Sequence, residues 1–192
     1  LSIPMMLGMS VQAIYMLIDT AFIGNWVGGS ALAGLGLIFP PLFIIMGITF
    51  GLGSGATTVI AKSIGEKNKT KADSAAGHII LLGIALSLLF IIIGYFGGEY
   101  IIQYQSKNIS IVKHASDYFF TILYGTFFMI MSIFFRSILS GEGDNLFPMK
   151  VLGLGTLINL ILDPIFIHYY QIKGAALATV ISQVVVFIIF TF

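Results

Sequence analysis

The chain has 192 residues, 58% hydrophobic and 9% charged, with a mean hydropathy of +1.04, against about 25% charged residues in an ordinary soluble domain. That balance excludes a water-soluble globule and marks an integral membrane protein. A formal net charge of +1 offers no basic surface for nucleic acid, and the lack of cysteine excludes disulfides and thiolate metal sites.

A bilayer core of roughly 30 Å calls for about 20 apolar residues per helix. Six windows of that kind occur, at 3–23, 32–61, 74–98, 118–135, 147–170 and 174–192. Long continuous apolar runs predict helices, because barrel strands read as short alternating segments. The predicted fold is therefore an all-α bundle of six transmembrane helices. Only the first and fifth windows hold a carboxylate, Asp19 in MLIDTAFIG and Asp163 in ILDPIFI.

Basic residues orient the bundle, since they concentrate in cytoplasmic loops. Lys62, Lys67, Lys69 and Lys71 follow the second window, and Arg136 and Lys150 flank the link from the fourth to the fifth. The opposite links carry only Lys107, Lys113 and Lys173. This places the N-terminus in the cytoplasm of a multi-pass cell-membrane protein. Leu1 lies almost directly on the first helix and Phe192 ends an apolar run, so the chain reads as an excerpt of a longer one.

The first and fifth windows repeat one another. IPMMLGMSVQAIYMLIDTAFI and FPMKVLGLGTLINLILDPIFI share Pro-Met at the start, the Asp, and Phe-Ile at the end, and both Pro4 to Asp19 and Pro148 to Asp163 span 15 residues. Pro tolerates the first turn of a helix, where no N–H is needed. Fifteen residues carry the Asp roughly 22 Å along the axis. Both acids then fall at one depth, in the outer half of the membrane. Four residues earlier, on the same helical face, stand Tyr15 and Asn159.

A carboxylate inside a membrane costs about 2.5–3.5 kcal/mol on insertion scales, less toward the interface, so one that is kept faces a cavity or a partner. Two acids in one cavity repel, which makes the pair a seat for a proton or for a sodium ion with amide and carbonyl oxygens. Pro164 cannot donate to the carbonyl of Leu160 and leaves that oxygen for another partner. Pro40 and Pro41 do the same for Gly36 and Leu37, where a simple kink is the favoured reading. Gln12, Thr179, Ser182 and Gln183 are candidates to line the cavity or to bond between helices. GLGSG at 51–55 reads as a helix-packing stripe, because no Lys-Ser/Thr follows at phosphate-loop spacing. Neither metal-ligand spacing at His78, His114 and His168 nor a catalytic constellation emerges, so no enzyme, metal or cofactor is expected.

Taken together, IPMM, YMLIDTAFIGNWVGGSALAGLGL, GLGSGATTVIAKSIGEKNKTKA, RSILSGEGDNLFPMKVLGLGTLINLILDPIFI and KGAALATVISQ resemble the N-terminal half of a MATE (multidrug and toxic compound extrusion) transporter. The resemblance implies two six-helix bundles related by a pseudo-two-fold axis, with this chain similar to the first and the C-terminal bundle missing from it. It implies export of cationic and amphipathic drugs in exchange for H⁺ or Na⁺. Matched residue by residue, the resemblance puts Asp19, Asp163 and Asn159 at the ion-coupling positions and Tyr15 and Thr179 on the cavity wall; Gln12 joins them as a cavity candidate by its polarity alone. Pro4 matches a proline implicated in bending of helix 1, and with Pro164 makes up the conformational set. Two rivals remain: a lipid-linked oligosaccharide flippase of the same superfamily, disfavoured because no cationic side chain lies well inside a span, and a membrane scaffold whose acids only pair helices.

Overall fold

The computed structural model describes residues 17–192. Pro4, Gln12 and Tyr15 lie outside the described residues, and so do the expectations placed on them. The described part of the first helix, α1, covers 17–26. It is followed by α2 (Gly29–Gly65), α3 (Lys69–Gln105), α4 (Ile109–Gly141), α5 (Leu146–Tyr170) and α6 (Ile172–Thr191). The molecule is an all-helical membrane bundle, and α2 to α6 are each long and apolar enough to cross a bilayer.

The turns between helices are short because the chain supplies its own caps. Asn68 Oδ1 accepts the Lys71 N–H at 3.0 Å, and Asn108 Oδ1 accepts those of Ser110 and Ile111. Asp144 Oδ1 takes the N–H groups of Leu146 and Phe147, both at 3.0 Å. Each cap satisfies donors that a helix start leaves without partners. Between α5 and α6 a single residue, Gln171, turns the chain at φ 54. Gly174 then lies directly against the Phe166 carbonyl, where a Cβ has no room.

The helices outrun the apolar windows. α2 and α3 have 37 residues each, about 55 Å at 1.5 Å per residue. Lys62, Lys69, Lys71 and Arg136, which lie outside the apolar windows, therefore sit on helices, as does Lys150 in the first turns of α5. The reason is that a charge-free window marks the hydrocarbon slab, whereas a helix keeps its backbone bonded on into the headgroup layer.

α4 occupies the middle and packs on α2, α3 and α6. In lipid there is no hydrophobic drive between apolar helices, so close approach at small residues carries the packing. On α3, Gly83 meets Phe134 and Met131, Gly94 meets Leu123, and Gly98 meets Phe119. Against α2, Gly34 touches the Ala115 backbone, Gly53 meets Ser137, and Gly141 of α4 meets Ile60. Thr57 Oγ1 donates across this seam to the Ser137 carbonyl at 2.8 Å. Phe187 of α6 nests among Phe127, Phe128 and Phe135. The GLGSG stripe is thus a packing surface at Gly53 alone: Gly51 and Gly55 face open space, because successive helical positions point in different directions.

α2 runs unbroken through Pro40 and Pro41. The carbonyl of Leu37, which Pro41 cannot serve, accepts a hydrogen bond from Gln105 Nε2 at 3.2 Å. The last turn of α3 thereby repairs the proline gap in α2.

Candidate functional site

One hydrophobic cluster ties α1 to the rest of the bundle and sets the frame of the site. Ile23 of α1 is buried with Ala31 and Leu35 of α2, Ile167 of α5, and Ile172 and Ala175 of α6, and Tyr118 of α4 packs against them. Asp19 lies one turn before Ile23, and Asp163 one turn before Ile167. The acids therefore follow the apolar anchors of their helices into the bundle.

Asp163 is 1% exposed and Asn159 5%. Asn159 Nδ2 donates to Asp163 Oδ1 at 3.0 Å, which realises the four-residue spacing as a buried amide–carboxylate bond. Asp19 is half-buried, and its Oδ1 is buried with no hydrogen-bond donor among the described residues. Tyr118 of α4 packs against the cluster that Ile23 and Ile167 share, so the helical turns that carry the two acids, 144 positions apart in sequence, meet in one neighbourhood. Asp19, Asp163 and Thr179 lie about two turns, and Tyr118 about two and a half, from helix ends on the same side of the bundle. At the adjoining rim Lys173 Nζ meets Asp117 Oδ1 at 3.2 Å and fastens the start of α6 to the start of α4.

Thr179 is half-buried on α6, and its Oγ1 donates to the Ala175 carbonyl at 3.1 Å. Ser182 Oγ likewise bonds to the Ala178 carbonyl at 2.8 Å. Both hydroxyls are engaged by their own helix rather than by another, which differs from the interhelical bonding considered from sequence. Pro164 sits inside a continuous α5.

Tyr118 was not a sequence candidate. It opens the fourth apolar window with Asp117 before it, and only its depth, matched to the two acids once helix ends are known, could have singled it out. Arg136, half-buried inside α4, is the other departure: the sequence placed it beyond the span.

Helices of membrane length, packed through glycine seams around a sequestered acid–amide pair, define a polytopic membrane protein. The family model described as MatE matches residues 4–165, and the chain belongs to that family. It is 26% identical to the probable multidrug resistance protein YoeA of Bacillus subtilis, over 97% of this chain and 42% of that protein. To the probable multidrug resistance protein NorM of Thermotoga maritima it is 29% identical, over 96% and 41%. An outward-facing multidrug resistance MATE transporter of the MOP superfamily matches with a TM-score of 0.95 and 35% identity, over 100% of this chain and 43% of that one. The chain thus spans about two fifths of the length of these relatives.

Proposed function

We propose that residues 1–192 form the N-terminal transmembrane bundle of a cation-coupled antiporter that exports cationic or amphipathic drugs by alternating access. The coupling ion is H⁺ or Na⁺, the N-terminus is cytoplasmic, and a C-terminal bundle completes the transport path. The observation that carries this reading is the buried Asn159–Asp163 pair on α5, one turn from the cluster that Ile167 shares with Ile23, itself one turn from Asp19 on α1. Two acids at one level in a membrane interior repel each other, and a proton or small cation relieves that repulsion.

Ion uptake at Asp19 and Asp163 changes how α1 packs against α5 and α6. The cluster of Ile23, Ile167 and Ile172 is the contact through which that change passes. The inward-open and outward-open states must bind the ion with different affinity, since equal affinity would move no equilibrium. Lowered affinity for the bound cationic drug in the ion-loaded state then releases it outward.

Asp163→Asn, made in the complete gene product, tests the scheme. Asn keeps the shape and can still bond to Asn159, so membrane expression stays normal while ion-driven efflux of a fluorescent cationic dye is lost. Efflux at the unmodified level would overturn the assignment of Asp163. Ligand binding by the purified protein that responds to Na⁺ or pH separates transport from a scaffold in which the acids only join helices.

A further inference from the structure

Near the turn that joins them, α2 and α3 leave a groove of about 360 Å³. Its walls include Gly51, Gly55 and Val59 of α2 and Ala75, His78 and Leu82 of α3. It exists because Gly51 and Gly55 have no side chains: a Cβ at either would meet nothing within 4 Å. Both helices are of membrane-spanning length and composition, so the groove is cut into their apolar stretch.

The mouth of the groove is basic. Lys62 stands one turn beyond Val59 on α2, and Lys71 one turn before Ala75 on α3, each continuing the face that lines the groove. Their ammonium groups converge on Glu66, at 3.9 Å for Lys62 and 3.5 Å for Lys71. Lys67 and Lys69 belong to the same turn, so four lysines outnumber Glu66 and Asp73 there. Glu66 holds two ammonium groups side by side above an apolar slot, and a second anion can share them.

His78 provides a third polar contact at the wall. Its Nδ1 lies 2.6 Å from the Ser74 carbonyl. A carbonyl only accepts, so Nδ1 carries the hydrogen and Nε2 is the ring atom left for a ligand.

We infer that this groove and its lysine rim bind an anionic phospholipid, with one acyl chain along Gly51 and Gly55 and the phosphate between Lys62 and Lys71. An apolar slot alone would accept any lipid tail. Charge complementarity at the rim selects the headgroup, as basic pockets and juxtamembrane lysines do for acidic lipids. This site lies toward the opposite end of the bundle from Asp19 and Asp163, and the inference stands whatever the coupling ion or cargo.

Native mass spectrometry on the purified complete gene product, titrated in turn with phosphatidylglycerol, phosphatidylcholine and glycerol 3-phosphate, provides the test. Phosphatidylglycerol is retained about tenfold or more tightly than phosphatidylcholine, in line with two lysines acting on one phosphate, and glycerol 3-phosphate is not retained. The double variant K62Q/K71Q, whose side chains are exposed, brings the two lipids level. Gly55→Leu, whose Cβ has open space, fills the slot and weakens retention of both; an unchanged melting temperature confirms that each variant is folded. Equal retention of the two lipids by the unmodified protein, or a preference that survives K62Q/K71Q, overturns the inference. So does glycerol 3-phosphate binding as strongly as lipid, which would mean a free-phosphate site. Loss of a dimer in Gly55→Leu with lipid retention unchanged would mean that a second copy covers the groove, and overturns it equally.

Discussion

Asp163 Oδ1 receives the Asn159 amide at a depth where 1% of the aspartate is exposed, so neither residue has water to fall back on. A buried hydrogen bond to a charged group is worth about 1.5–3 kcal/mol, and removing one partner adds the cost of stranding the other. Asn159→Ala therefore lowers the stability of the detergent-solubilised protein by about 2–3 kcal/mol, read as a drop in thermal unfolding temperature. An Asn159→Ala protein that melts with the unmodified one would show that the amide does not support Asp163. This pair was legible in the sequence, because four residues on a helix is a local relation that needs no tertiary knowledge. Tyr118 was not legible: its packing against the cluster that Ile23 and Ile167 share depends on how α4 is rotated in the bundle, and no spacing along the chain encodes that rotation.

At the level of whole helices, small residues decide how closely α3 and α4 approach. A side chain at Gly83 would meet Phe134 Cδ2 at 2.7 Å and Met131 Sδ at 2.9 Å, and overpacking of this kind costs about 1–3 kcal/mol. Gly83→Val lowers the melting temperature accordingly, whereas Gly51→Ala, facing open space inside a helix, leaves stability unchanged or raises it by up to about 1 kcal/mol. Equal effects of the two would refute the packing seam. The Gln105 bond to the Leu37 carbonyl makes a related point about proline. Gln105→Leu returns that carbonyl to the state Pro41 leaves it in and costs about 0.5–1.5 kcal/mol. In the double variant P41A/Q105L the cost shrinks, because alanine in place of Pro41 restores a backbone donor; additive losses would rule out the repair. Sequence reading credited GLGSG with packing and passed over Gly83, Gly94 and Gly98, since glycines in an apolar run look alike until a partner helix selects a face. Helix ends were missed for a different reason: charge reports where hydrocarbon stops, while the caps at Asn68, Asn108 and Asp144 report where the helix starts.

For the molecule as a whole, the distribution of lysine predicts an orientation that can be measured. The chain contains no cysteine, so single cysteines introduced in its turns are clean reporters. With the N-terminus cytoplasmic, Lys67→Cys between α2 and α3 resists a membrane-impermeant maleimide added to intact cells and reacts after permeabilisation. Asn108 caps α4 and is unsuitable, but Lys107→Cys beside it reacts in intact cells. The reverse pattern would invert the topology, and with it the placement of Asp19 and Asp163 in the outer half of the membrane.

Sequence alone determined that this is a helical membrane protein, that its family is MATE, and that acids on the first and fifth helices lie at matching depth. Each of these follows from local quantities: hydropathy over a bilayer thickness, motif order, and rise per residue. Only the tertiary structure decided that α4 stands at the centre, that Tyr118 packs against the cluster shared by α1, α5 and α6, and that Gly51 and Gly55 line an open groove between α2 and α3. Those depend on the rotation of each helix about its own axis. In a membrane that rotation is chosen by van der Waals fit between neighbouring surfaces, because hydrophobicity is nearly equal on every face.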